Sequence, residues 1–255
     1  MDKEPYGIHL GGTARSPKDV EHLHAIGLQF AEITIAEPKK FNDLIGSYRN
    51  MKEGFGLYYL CHGPREGDPN DVKTLETIYL PKVLDLLPIM EELSMPLLTV
   101  HLWLDPRYVK KEVICFKIQL LEKIIHEARK REITICLENL SENALHMRKP
   151  FETLPFLCLT LDLGHAQLLT DVNTSYEFIK SFPEKIKHIH LHDNRGGGSP
   201  LDDLHLPPGE GIIEFETIFH GLKQMNYKGT MTLELKTPEI DRSLEYVNGL
   251  IAQHL

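Results

Sequence analysis

Residues 186–193 read Ile186-Lys187-His188-Ile189-His190-Leu191-His192-Asp193. Histidines and apolar residues alternate from His188 to His192, the two-residue period of a strand, so all three histidines share one face. The run ends on a carboxylate and opens into a Gly196-Gly197-Gly198-Ser199-Pro200 loop. Two upstream segments have the same form. Leu157–Leu163 contains Asp162 at its end and continues into Gly164-His165, and Ile133–Glu138 stops at a glutamate. Tyr6–Leu10, Phe30–Ala36, Leu57–Cys61, Leu97–Leu102 and Thr230–Leu235 are further short apolar or β-branched runs, which predicts eight strands in all.

Helical patterns separate most of them. Ser16-Pro17-Lys18-Asp19 opens one with a capping residue and a proline at the first helical position. Val72–Leu93 and Glu112–Arg131 are long amphipathic runs, and Tyr176–Phe182, Phe215–Met225 and Ile240–Ile251 are shorter. Only Phe151–Leu154 is available for a helix between the fifth and sixth strands. Strands alternating with helices imply a parallel sheet with crossover connections. Eight such units closing on themselves predict an α/β fold, a (β/α)8 TIM barrel forming a single domain over residues 1–255. The length of 255 residues, 42% hydrophobic content and 25% charged content agree with one soluble globular unit.

The other composition signals narrow the function classes. The formal net charge is −9, which argues against a stable nucleic-acid coat role. No apolar run reaches the ~18–20 residues of a bilayer span, so no membrane partner is expected. Met1-Asp2-Lys3-Glu4-Pro5 begins no apolar signal region, and the expected compartment is the cytoplasm. Cys61, Cys115, Cys136 and Cys158 are widely spaced and read as reduced thiols. The triple glycine lacks the strand–loop–helix spacing of a phosphate-binding loop.

In such a barrel the chemistry lies at the C-terminal ends of the strands. The third run leads into His62, the fourth reaches His101, the fifth ends at Glu138 and the sixth at Asp162, with His165 just beyond. The seventh carries His190, the loop after it holds Asp203 and His205, and the eighth ends near Glu234. Taken singly, His62 or His101 would be a hydrogen-bonded core histidine, Asp162 a helix cap, and the Asp203–His205 segment solvated surface. Taken together, chance does not put a ligand-type residue at six consecutive strand ends, and imidazole and carboxylate donors suit zinc, manganese or iron. His188 is the histidine expected to fill the barrel, as are Cys136 and Cys158 by parity. Glu32 is read as either a contact to a substrate hydroxyl or a solvated strand residue. Trp103 would stack on a substrate or cover the mouth, and His9 and Arg15 would lie near the first strand-end loop.

Cys61-His62-Gly63-Pro64, Val100-His101, Cys136-Leu137-Glu138-Asn139, Leu161-Asp162-Leu163-Gly164-His165, His188–Asn194, Asp203–Gly211 and Leu233-Glu234 resemble, in this order, the xylose isomerase-like barrel superfamily that contains endonuclease IV and many sugar isomerases and epimerases. The resemblance to endonuclease IV implies a trinuclear metal site, typically zinc. His62 and His101 would hold the first ion, with Glu138 bridging it to a second. Asp162, His190 and Glu234 would complete the second site, and His165, Asp203 and His205 would form the third. In the single-metal sugar epimerases only the equivalents of Glu138, Asp162, His190 and Glu234 are needed, and the two glutamates act as acid and base. The chain departs from endonuclease IV after His62-Gly63-Pro64, where Arg65-Glu66-Gly67-Asp68 follows, and after His101, where Leu102-Trp103-Leu104-Asp105 follows.

The expectation is therefore a divalent-metal-dependent enzyme that hydrolyses a phosphoester, with Glu138 and Glu234 as catalytic residues. Zinc is the favoured ion, up to three per chain, with manganese or iron as substitutes. A small phosphoester or abasic DNA would be the substrate. The alternative is a sugar or sugar-phosphate isomerase/epimerase using one metal, with Glu138 and Glu234 moving the proton. A third possibility is a metal-holding scaffold without activity.

Overall fold

The computed structural model describes residues 7–255. Eight parallel strands close into a barrel in sequence order. They are β1 (His9–Ala14), β2 (Phe30–Thr34), β3 (Tyr58–His62), β4 (Leu97–Val100), β5 (Thr134–Glu138), β6 (Cys158–Asp162), β7 (Ile186–Leu191) and β8 (Thr230–Leu233). Each is followed by one principal helix: α1 (Pro17–Ala25), α2 (Ile45–Phe55), α3 (Leu80–Glu92), α4 (Lys111–Arg129), α5 (Ala144–Thr153), α6 (Ser175–Ser181), α7 (Phe215–Gln224) and α8 (Thr237–His254). The alternation read from the sequence is the (β/α)8 TIM barrel. Among the described residues no helix is long and apolar enough to cross a membrane.

The first strand is the largest displacement from expectation. It runs over His9–Ala14 rather than Tyr6–Leu10, and Tyr6 lies outside the described residues. Gly11-Gly12 looks like a turn signal, but here it is a steric one. A Cβ on Gly11 would sit 2.5 Å from the Phe30 ring, and one on Gly12 would sit 2.7 Å from Leu23. Glycine lets β1 pass between the ring that plugs the barrel and the helix outside it. His9 consequently begins β1, at the end of the barrel away from the mouth, where its Nδ1 lies 2.7 Å from the Tyr58 hydroxyl. It is not a mouth residue. Arg15 follows β1 at the mouth end and is exposed.

The second displacement is α5, a ten-residue helix where only Phe151–Leu154 was expected. Pro150 lies inside it. The helix starts upstream of that proline because Asn143 caps it, its side chain accepting from His146 N at 3.1 Å. Along the predicted 72–93 run, a helical turn at Val72–Thr74 and a wider one at Leu75–Tyr79 precede α3.

Inside the barrel, strand parity sorts the residues by height. Phe30, Leu60, Leu97 and Cys136 plug the bottom, with Cys158 packed against them. Two residues further along β2, β4 and β6 the character turns polar, with Glu32, Thr99 and Thr160 buried, and His188 on β7 and Thr232 on β8 are buried with them. A register shift between Leu159 and Thr160 sets His188 beside Thr160 and Asp162 beside His190. The aliphatic core lies outside this tube, between strands and helices. On α7, for example, Phe215, Ile218, Phe219 and Leu222 are fully buried, each worth about 1.5–3 kcal/mol of apolar transfer.

Candidate metal centre

The apolar parity that builds the tube ends in donors at its top. His62 closes β3, Glu138 closes β5, Asp162 closes β6, and His190 is the penultimate residue of β7. His101 directly follows β4, and Glu234 directly follows β8. The remaining three come from loops. His165 opens a single turn after β6, held by its backbone N–H donating to Asp162 Oδ1 at 2.7 Å. Asp203 and His205 sit in the β7–α7 loop, which Asp193 gathers. The Asp193 carboxylate accepts from Gly209 N and Gly211 N at 2.9 Å and from Ile213 N at 3.2 Å. Asn194 adds its side-chain oxygen to Leu204 N at 2.9 Å. His205 has a φ of 47°, rare for a residue with a side chain, and its Nδ1 lies 3.0 Å from the Glu234 carbonyl.

The nine residues singled out from the sequence thus meet at one mouth. Three groups of donors each lie within 4.8 Å of one another: His62, His101 and Glu138; Glu138, Asp162, His190 and Glu234; and His165, Asp203 and His205 together with His192. Glu138 belongs to the first two. His101 Nε2 is 2.5 Å and His62 Nε2 3.5 Å from its Oε2, while His165 Nδ1 and His190 Nδ1 are 3.1 and 3.4 Å from its Oε1. In the third group, His165 Nε2 and His205 Nε2 lie 3.2 and 2.9 Å from Asp203 Oδ2.

Burial alone would push these carboxylates up, but their histidine neighbours win. His101 and His190 hold Glu138 well below the usual carboxylate range. His165 and His192 do the same for Asp162, and His190 lowers Glu234. The histidines shift the opposite way. Burial disfavours their charge, yet the clustered carboxylates raise His62, His165 and His190, and Asp203 with Glu234 lifts His205 to about 9.

Protein atoms alone leave this cluster incompletely satisfied. His62 Nε2, Glu138 Oε1, His190 Nδ1 and Glu234 Oε2 are buried without a hydrogen-bond partner. Buried polar atoms are nearly always paired, so four orphaned lone-pair atoms in one place fit a divalent cation. The nitrogen and oxygen donor set suits zinc, manganese or iron.

Above the cluster is a cavity of about 330 Å3 whose polar lining includes His101, His165, Asp203, His205 and Glu234. Trp103, Leu140, Leu168 and Leu169 supply its apolar wall, and Arg65 is the one Lys or Arg among the described lining residues. Trp103 is fixed at both ends. Its Nε1 donates to Ser141 Oγ at 2.7 Å, its N to Glu66 Oε1 at 2.8 Å, and its ring stacks on Tyr108 at 4.7 Å.

Two residues of the site region carry more than the sequence suggested. His192 is buried, lies 3.0 Å from Asp162 Oδ1 through Nε2, and stacks on His205 at 4.0 Å. A Cβ on Gly164 would sit 2.0 Å from its ring, so Gly164 makes room for it. Its signal was its parity with His190. Glu32 is neither solvated nor in the mouth lining. It is 1% exposed, below the cluster and against His188 and His190. His188 fills the interior between Glu32, Thr230 and Thr232.

A family model described as xylose isomerase-like TIM barrel matches residues 20–250. An uncharacterized protein of Methanocaldococcus jannaschii is 30% identical over 186 residues, 64% of this chain and 61% of that protein. An inosose dehydratase of Clostridium botulinum is 33% identical over 102 residues, 34% of each chain. The aligned stretches thus span from about a third to three fifths of these relatives. Among solved structures, a D-tagatose 3-epimerase-like protein superposes with a TM-score of 0.82 at 21% identity, covering 96% of this chain and 97% of that one. The IolI protein with a bound zinc atom gives 0.80 at 14% identity, covering 97% and 99%.

Proposed function

The chain belongs to the xylose isomerase-like TIM barrel family, and from that premise we propose that it is a divalent-metal-dependent isomerase or epimerase of a small sugar or polyol ketone. The observation that carries this reading is the quartet Glu138, Asp162, His190 and Glu234, with donor atoms mutually within 4.8 Å, three of them buried and the fourth, Glu234, lining a cavity sized for a small molecule. The similarity to an inosose dehydratase and to a D-tagatose 3-epimerase-like protein supports sugar chemistry over the phosphoester hydrolysis that the full residue set suggested on its own. Neither lends support to abasic DNA.

A divalent ion on the quartet would polarise the carbonyl and hydroxyl oxygens of the substrate and lower the cost of negative charge developing there. Glu138 and Glu234 are held as carboxylates at neutral pH and supply the bases. One takes the proton from the carbon next to the carbonyl, and the electron pair of that C–H bond moves onto the carbonyl oxygen. The second carboxylate first takes up a proton from solvent and then delivers it to the same carbon from the other face, or to the neighbouring one, as the electron pair on the oxygen returns. The apolar wall around Trp103 keeps bulk water from competing, and Arg65 offers a phosphate or carboxylate substituent its charge.

The test is solvent deuterium. In D2O the metal-loaded protein is offered inososes, ketoses and aldoses, each with and without a phosphate. Label at the carbon beside the carbonyl is the expected result. Cleavage of phosphoesters with no label anywhere in the panel would sink the reading. The hydrolase reading stays second because the first and third donor groups exist. It calls for about three ions per chain with zinc prominent, whereas the epimerase reading needs about one, by elemental analysis of protein purified without chelator.

The histidine shifts give a further expectation. In the metal-free protein the clustered carboxylates favour the protonated forms of His62, His165 and His190, and His205 keeps its proton up to about pH 9. A metal needs those lone pairs, so binding releases protons and weakens as the pH falls below 9. Calorimetric zinc titrations in two buffers of different ionisation enthalpy should show that release at pH 7. Heat independent of the buffer would remove these histidines from the ligand set.

A further inference from the structure

We propose that Glu32 is a positioning residue that selects which nitrogen of His190 faces the donor cluster; this rests on the reading of His190 as a metal ligand. Glu32 lies on β2, below the mouth, is 1% exposed, and meets His190 on the side away from Glu138 and Glu234. Its Oε2 and Oε1 lie 3.0 and 3.2 Å from His190 Nε2, and the same Oε2 lies 3.2 Å from His188 Nε2.

Hydrogen-bond chemistry then dictates the tautomers. A carboxylate can only accept, so an imidazole nitrogen facing it must carry the hydrogen. His190 therefore keeps its hydrogen on Nε2 and leaves the lone pair on Nδ1. Nδ1 is the nitrogen that lies 3.4 Å from Glu138 Oε1 and Glu234 Oε2 and 3.6 Å from Asp162 Oδ2, and it has no hydrogen-bond partner. His188 steadies Glu32 from the far side by the same rule. With its hydrogen on Nε2, its Nδ1 accepts from the Thr230 hydroxyl at 2.6 Å. Glu32, His188 and Thr230 come from β2, β7 and β8, so three strands fix one ring. Carboxylates that orient a ligating histidine in this manner also raise its basicity, and their loss weakens metal binding by about 10–100-fold.

The experiment uses the full chain labelled with 15N in its histidines, stripped of metal and reloaded with Zn2+. Long-range proton–nitrogen correlation should show His190 protonated on Nε2, with Nδ1 shifted by the metal. This needs no variant. The free Zn2+ concentration that converts the His190 signal, set with a chelator buffer, should rise about 10–100-fold in Glu32→Gln. The melting temperature of the metal-free variant is followed alongside. A purely structural Glu32 would lower that temperature and leave the Zn2+ requirement unchanged, which would overturn the proposal. A hydrogen on His190 Nδ1 in the Zn2+-loaded wild-type chain would overturn it as well. Failure of the metal reading has a different signature: His190→Ala would then take up Zn2+ as the wild type does.

Discussion

Glu138→Gln is expected to lower the rate of solvent deuterium exchange by about 10²–10⁴, the contribution of a positioned acid–base group. It should be the most damaging conservative change at the mouth. Glu138 is fully buried and belongs to two donor groups at once, with His62 and His101 on one side and Asp162, His190 and Glu234 on the other. The amide keeps the shape but removes the charge that two groups of histidines gather around. His101, 2.5 Å from Oε2, would face an uncharged atom or an N–H where it now has a carboxylate. Glu234→Gln separates the two roles of the site. It alters one donor of the quartet, so a chain whose His190 still senses the metal as in the wild type but no longer exchanges deuterium has lost a base rather than an ion. The measurement is initial exchange rate at fixed free metal, with metal content assayed on the same sample. A Glu138→Gln protein that keeps more than about a tenth of the rate would remove Glu138 from the chemistry, since a general base is worth at least two orders of magnitude.

How much of this was readable in the chain depends on the range of the interaction. The strand-end donors were readable because they break a local pattern: Asp162 and Glu138 end apolar runs that nothing charged should enter, and His190 repeats at strand period. The barrel followed from the same alternation. What was not readable depends on partners distant in sequence. Glu32 shares β2's inward parity, but its meaning is set by His188 and His190, more than 150 residues away. β1 runs on through Gly11-Gly12 because the Phe30 ring of the neighbouring strand leaves no room there for a side chain, a contact the local sequence does not show. Ending the first strand at Leu10 moved His9 from the bottom of the barrel to its mouth. Asn143 is a local capping signal that starts the fifth helix well upstream of Phe151.

Lys117→Ala should cost about 3–5 kcal/mol of stability, the penalty for stripping one partner from a buried ion pair. Lys117 is on α4 and fully buried; its Nζ lies 2.7 Å from Glu66 Oε2 and donates to the Trp103 carbonyl at 2.8 Å. Glu66 returns to the same residue, accepting from Trp103 N at 2.8 Å. Loss of the lysine strands a buried carboxylate and frees the backbone of the wall residue together. The pH dependence has a definite sign. Burial already raises Glu66 above its usual value, with Lys117 opposing it. Without Lys117 the carboxyl rises further, so the folded variant holds a proton that the unfolded chain releases. Its deficit is greatest at neutral and alkaline pH, where the charge must be carried buried, and shrinks on acidification as the carboxyl takes up its proton. Urea midpoints of wild type and variant at pH 7 and pH 5 measure this. Lys117→Met with Glu66→Gln should recover much of the loss, because a neutral pair of similar volume leaves no orphaned charge. A double variant as unstable as Lys117→Ala, with a deficit equal at both pH values, would mean that the alkyl packing of the lysine, not its charge, holds the wall of the cavity.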